Sequence, residues 1–283
     1  MFKITTAPQD ALIQKLIPIV THACEILREE YERYCSGADF DVVKKTDNSP
    51  VTQADYRVNS YLTDALAQIS ELPLLSEEGS AEHRQNWKEF WLLDPLDGTK
   101  EFLHKRPEFT INLSMVRGAD TVFALLAVPA QSVIYVCPEQ GMPLKLKTDS
   151  GEWSVFESSE TEHELCVGLS HSSQEKQEYA AYLDELANIA SFGTVRAGSA
   201  YKFCMMLEDQ VDIYPRFHPT CEWDTSAGQC LIERIGGGLV DFRQRPFLYN
   251  QRDTLLNNGF IAYRNINMKK IALQALTQMQ YKH

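Results

Sequence analysis

Asp94 and Asp97 lie three residues apart at the end of an apolar run, in "FWLLDPLDGTKEF" at residues 90–102. Pro95 stands between them, and Gly98 and Thr99 follow. Two carboxylates so close suit a hard cation, because Mg²⁺ takes oxygen ligands and is held by a few carboxylates together with substrate phosphate. The backbone suits the same chemistry. Pro95 sets the chain direction, Gly98 permits close approach, and the NH groups of Gly98 and Thr99 would open a helix, a natural seat for phosphate. An ordinary reading fits this stretch equally: Asp94 as a strand-end acid, and Asp97 as a turn residue before a helix, since Asp-Gly is common turn chemistry.

A cation site needs more acids. Glu77 and Glu78 follow another apolar run in "LPLLSEEG", and Asp224 sits in "CEWDTSAGQ". Singly, each has a plain explanation: solvated loop glutamates, and an N-cap for the helix after Asp224. Together, three acidic clusters at element ends beside glycine or small residues favour a metal site. Asp55 is ambiguous. Thr52 and Asp55 have the spacing of a capping box with Asp in place of Glu, which is the reading local grounds favour; the functional reading of Asp55 is a further carboxylate near the metals. The D-x-x-D-G-T spacing is one residue longer than the D-x-D-G-T of haloacid-dehalogenase-type phosphatases. Side chains alternate across a strand, so one residue changes the face and argues against that class.

The elements that must position these acids follow from periodicity. Residues 9–34 repeat Leu12, Ile13, Leu16, Ile17, Val20, Ala23, Cys24 and Leu27 at helical spacing, with a kink expected at Pro18. A short strand at 40–45, a polar turn at 47–50 and a second helix from Thr52 come next. Residues 109–137 read as consecutive antiparallel strands. The polar, least periodic stretch at 149–164 is placed as a boundary between two lobes. Beyond it strands and helices alternate as far as 242, the pattern of a layered sheet-and-helix unit.

The chain has 283 residues, 44% of them hydrophobic and 23% charged, as in an ordinary globular protein. No apolar run approaches the ~20 residues of a membrane span, and "MFKITTAPQD" has no apolar core of a signal peptide. Seven cysteines without a C-x-x-C pair point to reduced thiols in the cytosol. A net charge of −12 without a basic cluster argues against nucleic acid polymers as partners.

The motifs "EE", "DPLDGTKEF" and "WDTSAGQ", in that order, resemble those of the inositol monophosphatase superfamily of lithium-sensitive, Mg²⁺-dependent phosphatases. The longer strings "WLLDPLDGTKEFLHKRPEFTINLSMV" and "GSAYKFCMMLEDQVDIYPRFHPTCEWDTSAGQ" are most similar to bacterial 3'(2'),5'-bisphosphate nucleotidases. The likeness spans most of the chain and is weakest near residues 138–165. It implies an α/β, layered αβαβα sandwich of the inositol monophosphatase and fructose-1,6-bisphosphatase type. It implies one catalytic unit with two lobes: 1–150 with most metal ligands, and 151–283 with the nucleotide-binding residues and the last metal ligand.

Carried over by residue, the resemblance implies that Glu77, Asp94 and the Leu96 carbonyl bind one Mg²⁺, and that Asp94, Asp97 and Asp224 bind a second. Gly98 and Thr99 would hold the scissile phosphate, and Thr99 would help orient or deprotonate water. Asp55 would relay protons or hold a third ion. Glu77 counts with Asp55 and Thr99 as catalytic, while Glu77, Leu96, Asp97 and Asp224 also face the substrate. His171, Ser199, Lys202 and Arg216 would hold the nucleotide and its uncleaved phosphate. The implied activity converts adenosine 3',5'-bisphosphate to AMP and phosphate in the cytoplasm, with peripheral attachment to the inner face of the membrane left open. Two rivals remain: an inositol or sugar phosphatase of the same superfamily, and a non-catalytic metal or nucleotide sensor on the same fold.

Overall fold

The computed structural model describes residues 1–283 except 39–41, 45–49, 158–163, 176, 199 and 283. The expected turn at 47–50 and the candidate Ser199 therefore fall wholly or largely outside the described residues. Strand β1 (Phe2–Thr5) leads to helix α1 (Ala11–Cys35). Asp10 caps α1, accepting from the NH groups of Leu12 (2.9 Å) and Ile13 (3.0 Å). The helix continues through Pro18 as one element. The hairpin β2 (Val42–Lys44) and β3 (Pro50–Thr52) runs into α2 (Gln53–Ile69). Then come β4 (Leu74–Ser76), β5 (Glu89–Asp97) and the one-turn helix α3 (Thr99–Leu103). A meander follows: β6 (Thr110–Arg117), β7 (Asp120–Val128), β8 (Val133–Cys137), β9 (Leu144–Lys147) and β10 (Glu152–Phe156). Strand β10 lies in the stretch expected to be the least regular, so the first sheet runs past residue 150 to Phe156.

The second half supplies β11 (Leu165–Leu169), α4 (Gln177–Ala187), β12 (Phe192–Arg196), α5 (Tyr201–Leu207), β13 (Ile213–Arg216), β14 (Thr220–Cys221), α6 (Ser226–Arg234) and β15 (Gly238–Val240). After residue 242, where the sequence reading stops, the structure adds β16 (Leu256–Asn257), β17 (Phe260–Tyr263) and α7 (Ile266–Lys282).

Two large sheets result. The first has eight strands in the order β1-β10-β9-β8-β7-β6-β5-β4, and the second five in the order β12-β11-β13-β17-β15. Strand alternation divides their side chains between layers. Leu125 and Ala127 of β7 pack with α1 and α2, while Ala124, Leu126 and Val128 pack with α5 and α6. Tyr214 of β13 and Phe260 and Ala262 of β17 turn towards α5 and α6 as well. Ile213, Ile261 and Tyr263 turn the other way, towards α4 and α7. The layers are thus α, β, α, β, α, with α5 and α6 clamped between two sheets. No helix among the described residues is long and apolar enough to cross a membrane.

Tight packing in the middle layer depends on Gly228. A Cβ there would lie 2.0 Å from Cδ2 of the fully buried Phe203 ring. Gly228→Ala should therefore force α5 and α6 apart and lower unfolding free energy by about 1–3 kcal/mol, the usual cost of overpacking. Urea unfolding measures it; unchanged stability would mean that the ring swings aside freely.

Candidate metal and phosphate site

Strand β4 pairs in parallel with β5, Ser76 beside Leu93. Glu77 extends the pairing, its NH donating to Leu93 O (3.0 Å), and so arrives level with Asp94. In a regular strand, residues i and i+3 face opposite sides. Here Asp94 pairs with Asn112 and Asp97 with Thr110, so three steps along β5 match two along β6. The extra residue is a bulge, placed where Pro95 removes a ladder donor, and it turns both acids to one side. Asp224 comes from the other half of the chain, in a 3₁₀ turn before α6, with its Oδ2 accepting from Cys221 NH (2.8 Å). One carboxylate oxygen each from Asp94, Asp97 and Asp224 lie within 4.8 Å of one another. An all-oxygen donor set of this kind fits a hard divalent cation.

Each acid is held in place. Leu96 NH donates to Asp94 Oδ1 (3.0 Å). Asn112 Nδ2 (3.3 Å) and Ala200 NH (2.8 Å) donate to Asp97 Oδ2. Burial, with the charges of Glu77, Asp97 and Asp224, holds the Asp94 carboxyl well above the usual range. Burial and the Asp97 charge push Asp224 up to about 8, although the Arg216 guanidinium opposes this.

Asp55 caps α2 and also reaches the site. Thr52 donates to its Oδ2 from NH (2.8 Å) and from Oγ1 (2.6 Å), and Thr99 Oγ1 lies 3.2 Å from its Oδ1 and 3.3 Å from Leu96 O. The two readings of Asp55 are thus compatible in one side chain. Burial holds its carboxyl above the ordinary value. Gly98 adopts φ +95°, a conformation that a side chain would strain, and a Cβ there would sit 3.3 Å from Phe109 Cα. It starts α3, with Thr99 as the first helical residue.

A cleft of about 290 Å³ is lined by Lys100, Glu101, His104 and Arg106 from one half, and by Ser170, His171, Ser172, Arg216 and His218 from the other. Ser170 Oγ and Arg216 Nε are buried without a hydrogen-bond partner among the described residues. Native structures rarely leave such donors unpaired, so both suit a ligand that supplies acceptors. Lys202 is placed differently. Its side chain is wholly buried, its ammonium donates to Ala197 O (2.7 Å), and it lies 4.5 Å from the Tyr214 ring centroid. It braces the cleft from inside. Burial, together with the Arg216 charge, pushes its ammonium down to about 7.

Sequence reasoning missed Ser170, Glu108 and the basic rim. Lys100, His104, Lys105 and Arg106 crowd seven residues directly after D-G-T, which was a usable signal. Glu108 is a single acid in a loop and carried none.

The model of the inositol monophosphatase family matches residues 9–280. The 3'(2'),5'-bisphosphate nucleotidase CysQ of Shigella flexneri is 36% identical over 253 residues, covering 88% of this chain and 98% of that protein. The crystal structure of CysQ from Bacteroides thetaiotaomicron superposes with a TM-score of 0.75 at 27% identity, covering 91% of this chain and 98% of that one. An IMPase from Thermotoga maritima, at 19% identity and a TM-score of 0.76 over 96% of this chain and 99% of its own, shares the fold.

The raised acids predict a pH dependence. The folded chain keeps protons on Asp94 and Asp224 that the unfolded chain has released, between the ordinary value of 3.8 and, for Asp224, about 8. Their contribution to stability is present at low pH and drains as pH rises through that window. Chelator-treated protein should melt at falling temperature from about pH 5 to about pH 8, and Asp224→Asn should flatten the fall. Millimolar Mg²⁺ should restore wild type most at the upper end. Parallel melting curves for wild type and Asp224→Asn would contradict this account.

Proposed function

The chain belongs to the inositol monophosphatase family, and on that premise we propose that it is a Mg²⁺-dependent phosphatase that converts adenosine 3',5'-bisphosphate to AMP and phosphate. One observation carries the choice of substrate. The Arg216 guanidinium, close enough to act on Asp224 of the carboxylate cluster, lines a cleft with Lys100, Arg106 and Glu101 and keeps a buried Nε that has no partner among the described residues. A nucleotide with a phosphate at each end supplies one anion to each place. Clearing such a nucleotide would serve cells that release it as a by-product of sulfate activation and sulfotransfer.

In this reading Glu77, Asp94, the Leu96 carbonyl, Asp97 and Asp224 hold the cations. Bound cations supply charge neutralisation of the phosphoryl oxygens, a more acidic water and stabilisation of the leaving oxygen. The Thr99 hydroxyl has its proton directed at Asp55 or Leu96 O, so its lone pairs remain to accept from water and aim it at phosphorus. Hydrolysis exchanges the ester P–O bond for one from the water oxygen, and the 3' oxygen leaves as a hydroxyl. Gly98 lets the start of α3 approach the phosphate. Arg216 offers a bidentate fork to the phosphate that stays, and His171 lines the wall beside it.

Phosphate release with and without Mg²⁺ separates this reading from a non-catalytic sensor. Asp94→Asn should lower kcat at least ~10²-fold with circular dichroism unchanged, since it removes the charge at the centre of the cluster. Near-normal turnover in the folded variant would sink the metal assignment. Arg216→Ala should lower kcat/KM for the bisphosphate ~10- to 100-fold, the value of one charge-assisted contact. A substrate with only the scissile phosphate should barely respond. An equal loss on both would return the advantage to an inositol or sugar phosphatase.

A further inference from the structure

Glu108 stands in the loop between α3 and β6 and belongs to the half of the chain that carries Asp94 and Asp97. Its partners belong to the other half. Its Oε2 accepts from Gly198 NH (2.8 Å) and lies 2.7 Å from His171 Nε2. The contact is not an ordinary surface ion pair, which contributes little, because His171 and Glu108 keep only 23% and 21% side-chain exposure. Gly198 shows how close the approach is. A Cβ there would lie 2.6 Å from Glu101 Cγ and 3.0 Å from Glu108 O.

The loop between β12 and α5, which carries Gly198, is pinned at every described residue. Ala197 NH donates to Leu169 O (3.0 Å), and Ala197 O accepts from the Lys202 ammonium (2.7 Å). Gly198 is held by Glu108, and Ala200 NH by Asp97 (2.8 Å). Two acids of one half therefore receive two backbone NH groups of the other. Asp97 ties the loop to the carboxylate cluster, and Glu108 ties it to the wall of the cleft. A carboxylate can only accept, so His171 carries its proton on Nε2 and keeps Nδ1 as an acceptor while it is neutral. Without Glu108 the ring is free to choose the other tautomer and to turn.

We infer that Glu108 is a positioning residue for substrate recognition: by clamping His171 and Gly198 together it fixes the orientation of the His171 ring and the closeness of the two halves along the cleft. The inference rests on the bisphosphate nucleotide reading for its kinetic consequence. Binding groups held in a single conformation cost less to order when substrate arrives. The clamp therefore governs affinity, while the acids that cleave the ester keep their own supports.

Five variants and two kinds of readout test this. Glu108→Ala should raise KM for adenosine 3',5'-bisphosphate ~10-fold and change kcat less than about threefold. Glu108→Gln keeps an oxygen acceptor and should recover most of that loss. Gly198→Ala leaves the carboxylate in place but spreads the contact, and should raise KM in the same direction. The double variant Glu108→Ala with His171→Ala should lose less than the sum of the two single losses, because part of the first change acts through the second residue while the Gly198 contact is lost in either background. Nitrogen NMR of the His171 ring reads the clamp without substrate: wild type should show Nε2 protonated, and Glu108→Ala a mixture of tautomers. Failure of the wild type to hydrolyse the nucleotide counts against the proposed function alone, since the ring spectrum still decides the clamp. Additive effects in the double variant, a kcat loss equal to the KM change, or a His171 spectrum indifferent to Glu108→Ala would overturn the inference.

Discussion

The structure is organised around the repulsion of acids that it forces together. Asp94 is 1% exposed and Asp97 6%, and both share a cluster with Asp224, with the charge of Glu77 acting on two of the three. Buried like charges are costly unless something neutralises them. The fold resists that cost with rigid scaffolding. Glu77 and Asp94 come from paired strands, Asp97 from a bulge in the same sheet, and Asp224 from a turn tied down from beneath. The neighbouring Glu222 is completely buried and accepts from Asn250 NH (2.8 Å) and the Arg252 guanidinium (3.1 Å). Asn250 is itself gripped by Arg84, whose Nη1 donates to its side-chain oxygen (2.6 Å). This chain of polar contacts ties the Asp224 turn to the turn at Arg84–Asn86, between β4 and β5 of the first sheet. The strain left in the acids is what a divalent cation relieves on binding, so metal affinity and stability draw on the same interaction.

The second constraint is the sign of the field. A chain of net charge −12 would repel a nucleotide that carries two phosphates. The reversal is local. In the proposed reading bound cations would neutralise the acids on one side, while the charged groups of Lys100, Arg106 and Arg216 line the other and outnumber the single carboxylate of Glu101 there. Lys202 shows how the interior supports this reversal. A lysine in the middle helical layer is expensive to bury, and burial with the Arg216 charge lowers its ammonium to about 7. It is retained as an internal strut on the Ala197 carbonyl, within the field that favours an anion.

Much of this was legible in the chain because it rests on local chemistry. The capping box at Thr52 and Asp55, the apolar stripe of α1 and the β-rich runs of β6 to β8 between turn residues need no partner to be read. The three acidic motifs pointed to one site, since each ended an element. What escaped reading depends on partners far away in sequence. Strand β1 is half exposed and is held by pairing with β10 and by Phe2 packing on Tyr135, partners more than a hundred residues on. Strand β10 lies in a polar stretch for the same reason. Strand β17 sits between β13 and β15, a position that nothing local announces. "GSAYK" marked Lys202 correctly as lying at a helix start, but not that the helix is buried on all sides between two sheets. Glu108 is the extreme case, because its role exists only where two halves meet.

The division of labour between the sheets explains why the cleft lies where it does. Strands β12, β11 and β13 run parallel, so their carboxyl ends share one edge of the second sheet. That edge delivers Ser170 and His171 after β11, Ala197 and Gly198 after β12, and Arg216 at the end of β13. Ligands of open α/β sheets gather at such an edge, because each loop leaving it can be varied without disturbing the strands. The first sheet contributes acids from a bulged strand instead, where regular geometry is broken to turn Asp94 and Asp97 to one side. The irregular edge of one sheet thus faces the regular edge of the other. In the proposed reaction, changing the loops after β11, β12 and β13 would alter which alcohol carries the phosphate, while the bulge and its acids would keep the hydrolytic chemistry unchanged.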